Sequence, residues 1–268
     1  MATTMKKIII LLSALLVLAS CDFNPLRLSG NLVSKDFAIE GTYTQLDVSS
    51  AFTVTVCDTV SQVIVTTDEA LMPKVEVIKK GEKLIIHLKP EFVSFNRGAK
   101  MEVLLPYNPD LREVELSGAA DLYSSFPLKG QKVEIDLSGA SNYYGDIEAD
   151  KVEMELSGAA DFKGNVAATA LDLDLSGASS VTTEGQFETV TIDLSGASKI
   201  IKTVADGAYG FRCNRCEGSI SGASSAFIHC GGTLRVDLSG ASDLHYTGNA
   251  STTGTHTSGA SNLIHDEL

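Results

Sequence analysis

The stretch Leu116-Ser117-Gly118-Ala119-Ala120 returns seven more times with small changes, its glycine reappearing as Gly139, Gly158, Gly177, Gly196, Gly222, Gly240 and Gly259. The intervals between those glycines are 21, 19, 19, 19, 26, 18 and 19 residues. Self-similarity at such a period marks a chain that winds, one coil to each repeat. Two residues before the glycine stand Leu116, Leu137, Leu156, Leu175, Leu194, Ile220 and Leu238. Four before it stand Val114, Ile135, Met154, Leu173, Ile192, Gly218 and Val236, and six before it Val133, Val152, Leu171, Val190, Cys216 and Leu234. Apolar residues at every second position describe a strand with one buried face.

Beyond the glycine, alanine follows in every copy from Ala119 to Ala260, which predicts a tight corner with room for only a methyl group. Four residues after the glycine lie Leu122, Tyr143, Phe162, Val181, Ile200, Ala226, Leu244 and Leu263. Eight after it come Phe126, Ile147, Val166, Val204 and Cys230, a further inward row. No apolar stripe at helical spacing survives a repeat, and glycine, serine and β-branched residues dominate each unit. The longer leucine signature and closing asparagine of leucine-rich repeats are missing, and WD40 blades are twice as long. The expectation is an all-β chain: a right-handed parallel β-helix of about 19 residues per coil, like residues stacking about 4.8 Å apart.

The N-terminus places the protein outside the cytoplasm. Lys6 and Lys7 precede an apolar run from Ile8 to Leu18, which leads into Leu18-Ala19-Ser20-Cys21. A basic start, a short apolar centre and small residues at the cut make a secretory signal, too short to span a bilayer. The cysteine directly after Ala19-Ser20 resembles a bacterial lipobox, which implies cleavage before Cys21 and lipidation of its thiol. The formal charge then moves from −13 to −15, because Lys6 and Lys7 leave with the first 20 residues. So acidic a chain is unsuited to nucleic acid or anionic lipid head groups as direct partners. The absence of Trp leaves few stacking platforms for sugars.

The remaining organisation follows in order. Residues 1–20 read as the lipoprotein signal and 21–35 as a flexible tether. Residues 36–110 read as a β-rich part that caps the first coil, and 111–268 as the β-helix proper. Within the capping part, Leu46-Asp47-Val48-Ser49-Ser50-Ala51-Phe52 looks like a degenerate repeat, and Gly81 and Asn96-Arg97-Gly98 mark turns. Near the end Thr253, Thr255 and Thr257 replace inward aliphatics, as suits a terminal coil. The closing His265-Asp266-Glu267-Leu268 matches an endoplasmic-reticulum address that a bacterial lipoprotein never meets.

These residues carry a family likeness. Leu46-Asp47-Val48, the run Met101-Glu102-Val103-Leu104-Leu105-Pro106, the strand-plus-Ser-Gly corners and Leu244-His245-Tyr246-Thr247-Gly248 together resemble the bacterial putative auto-transporter adhesin family known by its head GIN domain. The likeness runs from about Phe37 to Ile264. Members more often carry Ser-Gly-Ser-Gly where this chain has Ser-Gly-Ala-Ser or Ser-Gly-Ala-Ala. The resemblance implies a β-helical surface protein and brings no catalytic residues with it.

A search for chemistry turns up four features. The 26-residue interval holds about seven extra residues, expected to bulge out as Asp206-Gly207-Ala208-Tyr209-Gly210-Phe211-Arg212. Tyr209, Phe211 and Arg212 make it the candidate ligand-contact loop, against the plainer reading of a tolerated insertion. Outward positions carry stacked acids, Glu115, Asp136, Glu155, Asp174, Asp193 and Asp237 in one row, with Glu113, Glu134, Glu153, Asp172 and Glu217 beside it. Water or cations must relieve their repulsion; calcium is conceivable, but no Gly-Gly-x-Gly-x-Asp nonapeptide is present, and the solvated-face reading is preferred. Cys213 and Cys216 form a CxxC without a second CxxC or paired histidines, so packing, or a disulfide between Cys213 and Cys230, accounts for them better than a metal. His87, His229, His245, His256 and His265 form no HExxH or triad-like set, and Ser-Gly-Ala-Ser is not a GxSxG elbow.

The sequence therefore reads as a lipid-anchored, non-enzymatic adhesin or binding scaffold of the cell envelope, placed at the outer membrane and facing the periplasm or the surface. Its expected partners are the membrane, through the lipid on Cys21, and a surface glycan or protein; no nucleic acid, cofactor, metal or catalytic residue is assigned. The alternative is a polysaccharide lyase or glycoside hydrolase, since β-helices host both.

Overall fold

The computed structural model describes residues 26–89, 99–205 and 207–267. The signal segment, Cys21, the turn Asn96-Arg97-Gly98, Asp206 and Leu268 lie outside the described residues.

Two columns of parallel strands meet at the glycine corner. On one side Glu113–Leu116, Leu128–Leu137, Ile147–Leu156, Val166–Leu175, Gly185–Leu194, Phe211–Ile220 and Ser225–Leu238 stack in order. Their register places Leu116, Leu137, Leu156, Leu175, Leu194, Ile220 and Leu238 over one another. On the other side of the corner Leu122, Tyr143, Phe162, Val181, Ile200, Ala226, Leu244 and Leu263 form a second inward row. Inside Ile147–Leu156 the inward phase changes: Ile147 is buried, then Val152, Met154 and Leu156. A pure alternation cannot switch from that residue to those positions, so the strand turns within its length and each coil has a third face. Both inward rows are dry, and rings lie directly over rings, Tyr143 on Phe162 with centroids 5.4 Å apart.

At the corner every repeat glycine, from Gly118 to Gly259, has φ between 71° and 78°. An added Cβ on Gly158 would lie 2.4 Å from the carbonyl oxygen of Gly139 below it. The amide of the next residue donates to that same oxygen, Ala159 N–H to Gly139 at 2.7 Å. The corners are thus superimposed, and only hydrogen fits between them. The expectation about the alanine needs correction, because Ala119, Ala140, Ala159, Ala178 and Ala197 are exposed. The buried small residue is one further on: Ala120, Ser141, Ala160, Ser179, Ser198, Ser224 and Ser242. The left-handed glycine reverses the chain, so three residues pass outside before the alternation resumes. The buried hydroxyls use the free lone pair of a carbonyl on the preceding coil: Ser141 donates to Leu116 at 3.2 Å, Ser198 to Leu175 at 3.2 Å and Ser242 to Ile220 at 3.1 Å.

The degenerate repeat is a true rung. Gln45–Val48 pairs in parallel with Glu113–Leu116, and Thr53–Cys57 with Asp121–Ser124. Ser50 takes the glycine's place at φ 79°, alone among the described non-glycine residues in having positive φ. Coiling therefore begins within the part read as a cap. The end is closed by antiparallel pairing instead: Val75–Lys80 against Lys83–Leu88, and Val63–Asp68 against Met101–Pro106. The outermost strand, Leu32–Phe37, pairs with Val63–Asp68, so a strand starts inside the stretch read as a tether. Its approach is fixed by Asp68, whose carboxylate accepts from Ser29 N–H at 3.0 Å, Gly30 N–H at 2.8 Å and Ala70 N–H at 2.9 Å. At the far end Thr255 offers its side chain to the strand edge, the hydroxyl donating to Leu234 at 2.7 Å and accepting from Val236 N–H at 3.3 Å. A hydroxyl thus stands where another strand's backbone would have paired.

Candidate binding groove

The described residues of the insertion form regular structure. Val204–Ala205 and Ala208–Tyr209 form a small antiparallel hairpin, closed where Gly210 N–H donates to Thr203 at 3.0 Å. The extra residues are therefore 204–210, and the coil resumes at Phe211. Phe211 is fully buried, continuing the inward row of Leu128, Ile147 and Val166, and Val204, expected in that row, is 52% exposed. Tyr209 is buried too, edge-on to Phe227 at 5.6 Å, with its hydroxyl on the Asp266 carboxylate, which also takes His245 Nδ1 at 2.9 Å. Of the three expected contact residues, only Arg212 reaches the outer surface, half-buried.

There it lines a concavity of about 700 Å³. Along the groove the ladder between two coils is interrupted, although Val166 N–H still donates to Glu184 at 3.0 Å. Val166–Leu175 and Gly185–Leu194 pair continuously only from Ala170 and Thr189 onward. Gly185 packs directly on the coil before it: a Cβ there would lie 2.3 Å from the Val166 carbonyl oxygen and 2.7 Å from the ring of Phe187, two residues on. Ala168 and Thr169 form one wall, and Gln186, Arg212 and His229 stand in register along the other. Asn214 Nδ2 donates to Glu188 Oε1 at 2.7 Å across adjacent coils. Arg212 donates to the carbonyl of Ala205, so the hairpin steadies the guanidinium. His229 Nδ1 lies 3.0 Å from Thr247 Oγ1. Desolvation first, and the neighbouring Arg212 charge second, hold the imidazole below its ordinary range, which keeps it neutral at neutral pH. Opposite Asn214 the ladder slips by one residue at Gly231-Gly232, a bulge of the kind that borders binding sites.

Sequence reasoning found Arg212 but missed Gln186, Glu188, Asn214 and His229. The signal was present. Ten residues before the corner glycine the outward row runs Lys129, Glu148, Ala167, Gln186 and Arg212, leaving the acidic pattern of the neighbouring face.

The acidic rows are bridged by the chain's own lysines. Lys132 Nζ lies 2.9 Å from Glu134 and 2.7 Å from Glu153, and Lys151 Nζ lies 2.7 Å from both Glu153 and Asp172. Those two lysines hold the Glu153 carboxyl below its usual range. Nearer the first rung Asp136 and Glu113 are pushed up, by desolvation first and then by neighbouring acids. Among the described residues no three His, Cys, Asp or Glu side chains converge as metal ligands would. The thiols of Cys213 and Cys230 are free and sit side by side in register, one coil apart.

A parallel β-helix bearing a polar groove is the class of protein these features define. The chain belongs to the family described as putative auto-transporter adhesin, head GIN domain, which it matches over residues 42–250. Residues 5–21 match a prokaryotic membrane lipoprotein lipid attachment site, so this is a lipid-anchored protein of the cell envelope. Among solved structures it is similar to a putative adhesin from Parabacteroides merdae, with 19% identity, 91% of this chain and 100% of that one covered, and a TM-score of 0.76. A putative adhesin from Parabacteroides distasonis has 20% identity, coverage of 91% and 98%, and a TM-score of 0.71. A protein from the same organism described as a putative lipid binding protein has 17% identity, coverage of 91% and 100%, and a TM-score of 0.74. At these identities the likeness is one of fold. No curated protein matches the chain.

Proposed function

We propose that this protein is a non-enzymatic adhesin or binding scaffold, held at the outer membrane by acyl chains on Cys21, and that the groove over Gln186, Arg212 and His229 receives its ligand. The observation that carries this reading is the break in the surface. On the acidic face Lys132 and Lys151 bridge stacked carboxylates; here an amide, a guanidinium and a neutral imidazole, with Glu188 tied to Asn214, line a concavity of about 700 Å³. Planar donors and acceptors on rigid strands suit hydroxyl and carbonyl groups of a surface glycan or protein. The family description and the lipid attachment site support the same reading.

Labelled mature protein applied to a glycan array, and to cell surfaces treated beforehand with protease or glycosidase, tests it. Binding should fall at least tenfold in Arg212→Ala, and the treatment that abolishes it names the ligand class. Undiminished binding by a double variant, Arg212→Ala with Asn214→Ala, would remove the groove from consideration. Turnover of a polysaccharide, lost when one carboxylate pair is replaced, would make the protein an enzyme instead. Protease shaving of intact cells reports which side of the membrane it faces.

A further inference from the structure

Behind the groove, three cysteines lie on two neighbouring strands. Cys213 is 5% exposed on the groove floor, and Cys216 and Cys230 are fully buried. The two strands carry these thiols side by side: Cys213 Sγ donates to the His229 carbonyl at 3.6 Å, and Cys230 Sγ donates to the carbonyls of Asn214 at 3.5 Å and Thr233 at 3.3 Å. Cys213 and Cys230 are partners in parallel register, so their Cα atoms stand about 4.8 Å apart, inside the 4.4–6.8 Å window that a disulfide requires. Cys213 and Cys216 lie on one strand, three residues apart. The inward phase of that strand switches between them, so their side chains leave different faces of the coil, whereas Cys213 and Cys230 occupy the same face of adjacent coils. Cys57 is in another part of the fold, paired in register with Pro106.

We infer that in the exported protein Cys213 and Cys230 are joined by a disulfide that staples the coil after the insertion to the next one, leaving Cys57 and Cys216 as thiols. Each of the two thiols gives up its proton and one S–S bond forms. The two electrons pass to the disulfide of an envelope thiol–disulfide oxidase, which leaves as a dithiol. The step belongs to folding. The neighbouring Cys213 thiol, followed by burial, pushes the folded Cys230 thiol well above its ordinary range, so little reactive thiolate remains once the coil has closed. The bond would fix the relative positions of Arg212 and Asn214, on either side of Cys213, and His229 and Gly231, on either side of Cys230. It stands whatever occupies the groove.

The test uses the native lipoprotein from cells quenched in acid and alkylated under denaturing conditions before any reductant. Trypsin together with a protease cutting after glutamate separates Cys213, Cys216 and Cys230, since Arg215 and Glu217 lie between them. The expected result is alkylated Cys57 and Cys216, with one cross-linked species holding Cys213 and Cys230. All four alkylated, or a link that uses Cys57 or Cys216, overturns the inference. As a second measurement, reductant should lower the thermal midpoint of the wild type by about 5 °C or more and leave that of Cys230→Ser unmoved. Equal midpoints with and without reductant in the wild type count against the staple.

Discussion

Replacing one corner glycine with alanine probes the column most directly. In Gly158→Ala two separate costs add. The left-handed φ of 76° costs an L-residue about 1–2 kcal/mol. The new methyl carbon would also sit 2.4 Å from the Gly139 carbonyl oxygen, which is backbone and cannot rotate aside. Relief requires the coils to separate by more than half an ångström, straining the 2.7 Å bond from Ala159 to Gly139. Overpacking of this kind costs roughly 1–3 kcal/mol, and the weakened hydrogen bond about 1 more. The sum, about 3–6 kcal/mol, corresponds to a fall in thermal midpoint on the order of 10 °C for a chain of this size. Gly81→Ala isolates the first cost, because Gly81 has φ 61° and nothing within 4 Å of an added Cβ; it should lose about 1–2 kcal/mol. Circular dichroism melts of both variants beside the wild type give the comparison. Equal losses in the two would refute the claim that stacking, rather than backbone conformation alone, reserves the corner for glycine.

Three other substitutions bear on the same physics. Ser50→Gly should raise stability by about 0.5–1 kcal/mol in urea titrations, since it relieves a left-handed non-glycine residue at the loss of only a 3.4 Å bond from Leu88 N–H; a loss would mean that the hydroxyl matters more than the backbone. Tyr143→Phe should leave the melt unchanged or raise it by about 1 kcal/mol, because the buried hydroxyl has no hydrogen-bond partner among the described residues; a loss above about 1 kcal/mol would reveal a partner. Burial pushes the Asp68 carboxyl up, but the N–H donors of Ser29, Ala70 and Gly30 together with the Ser29 hydroxyl outweigh it and leave it below its ordinary range. Its stabilisation is then complete above the unfolded value of about 3.9 and disappears as pH falls through the lower folded value. Wild type should therefore lose stability on acidification below about pH 4 more steeply than Asp68→Asn, and parallel pH profiles would contradict the assignment.

The coil, its period and its two main inward rows were legible because each is a repeated chemical choice. Leu116, Leu137 and Leu156 declare one slot three times over, and Ser49-Ser50-Ala51 could be placed by comparison with its neighbours. The corner was harder. Alanine at one position and serine or alanine at the next are both small, and only the handedness of the glycine decides which turns inward. The insertion was misplaced by two residues for a similar reason. Both placements leave seven extra residues, and they differ only in whether Phe211 joins the loop or fills the inward row of Val166. Position within that row decides, and the row is weakly marked because Gly185 interrupts it. The groove escaped because its signal, the change from Lys129 and Glu148 to Ala167, Gln186 and Arg212, lies along one outward row, and the interrupted ladder beside it is a relation between neighbours that no single repeat displays.

The superimposed corners also make length an adjustable quantity. Excising residues 158–176 would remove 19 residues and bring the chain from Ser157 directly onto Gly177, with the same junction chemistry as before. Both ends would be untouched, and the molecule would be shorter by one rung, about 4.8 Å. Gain or loss of whole repeats at these corners changes how far the lipid-tethered protein extends, so its reach is set by counting copies rather than by redesigning a fold.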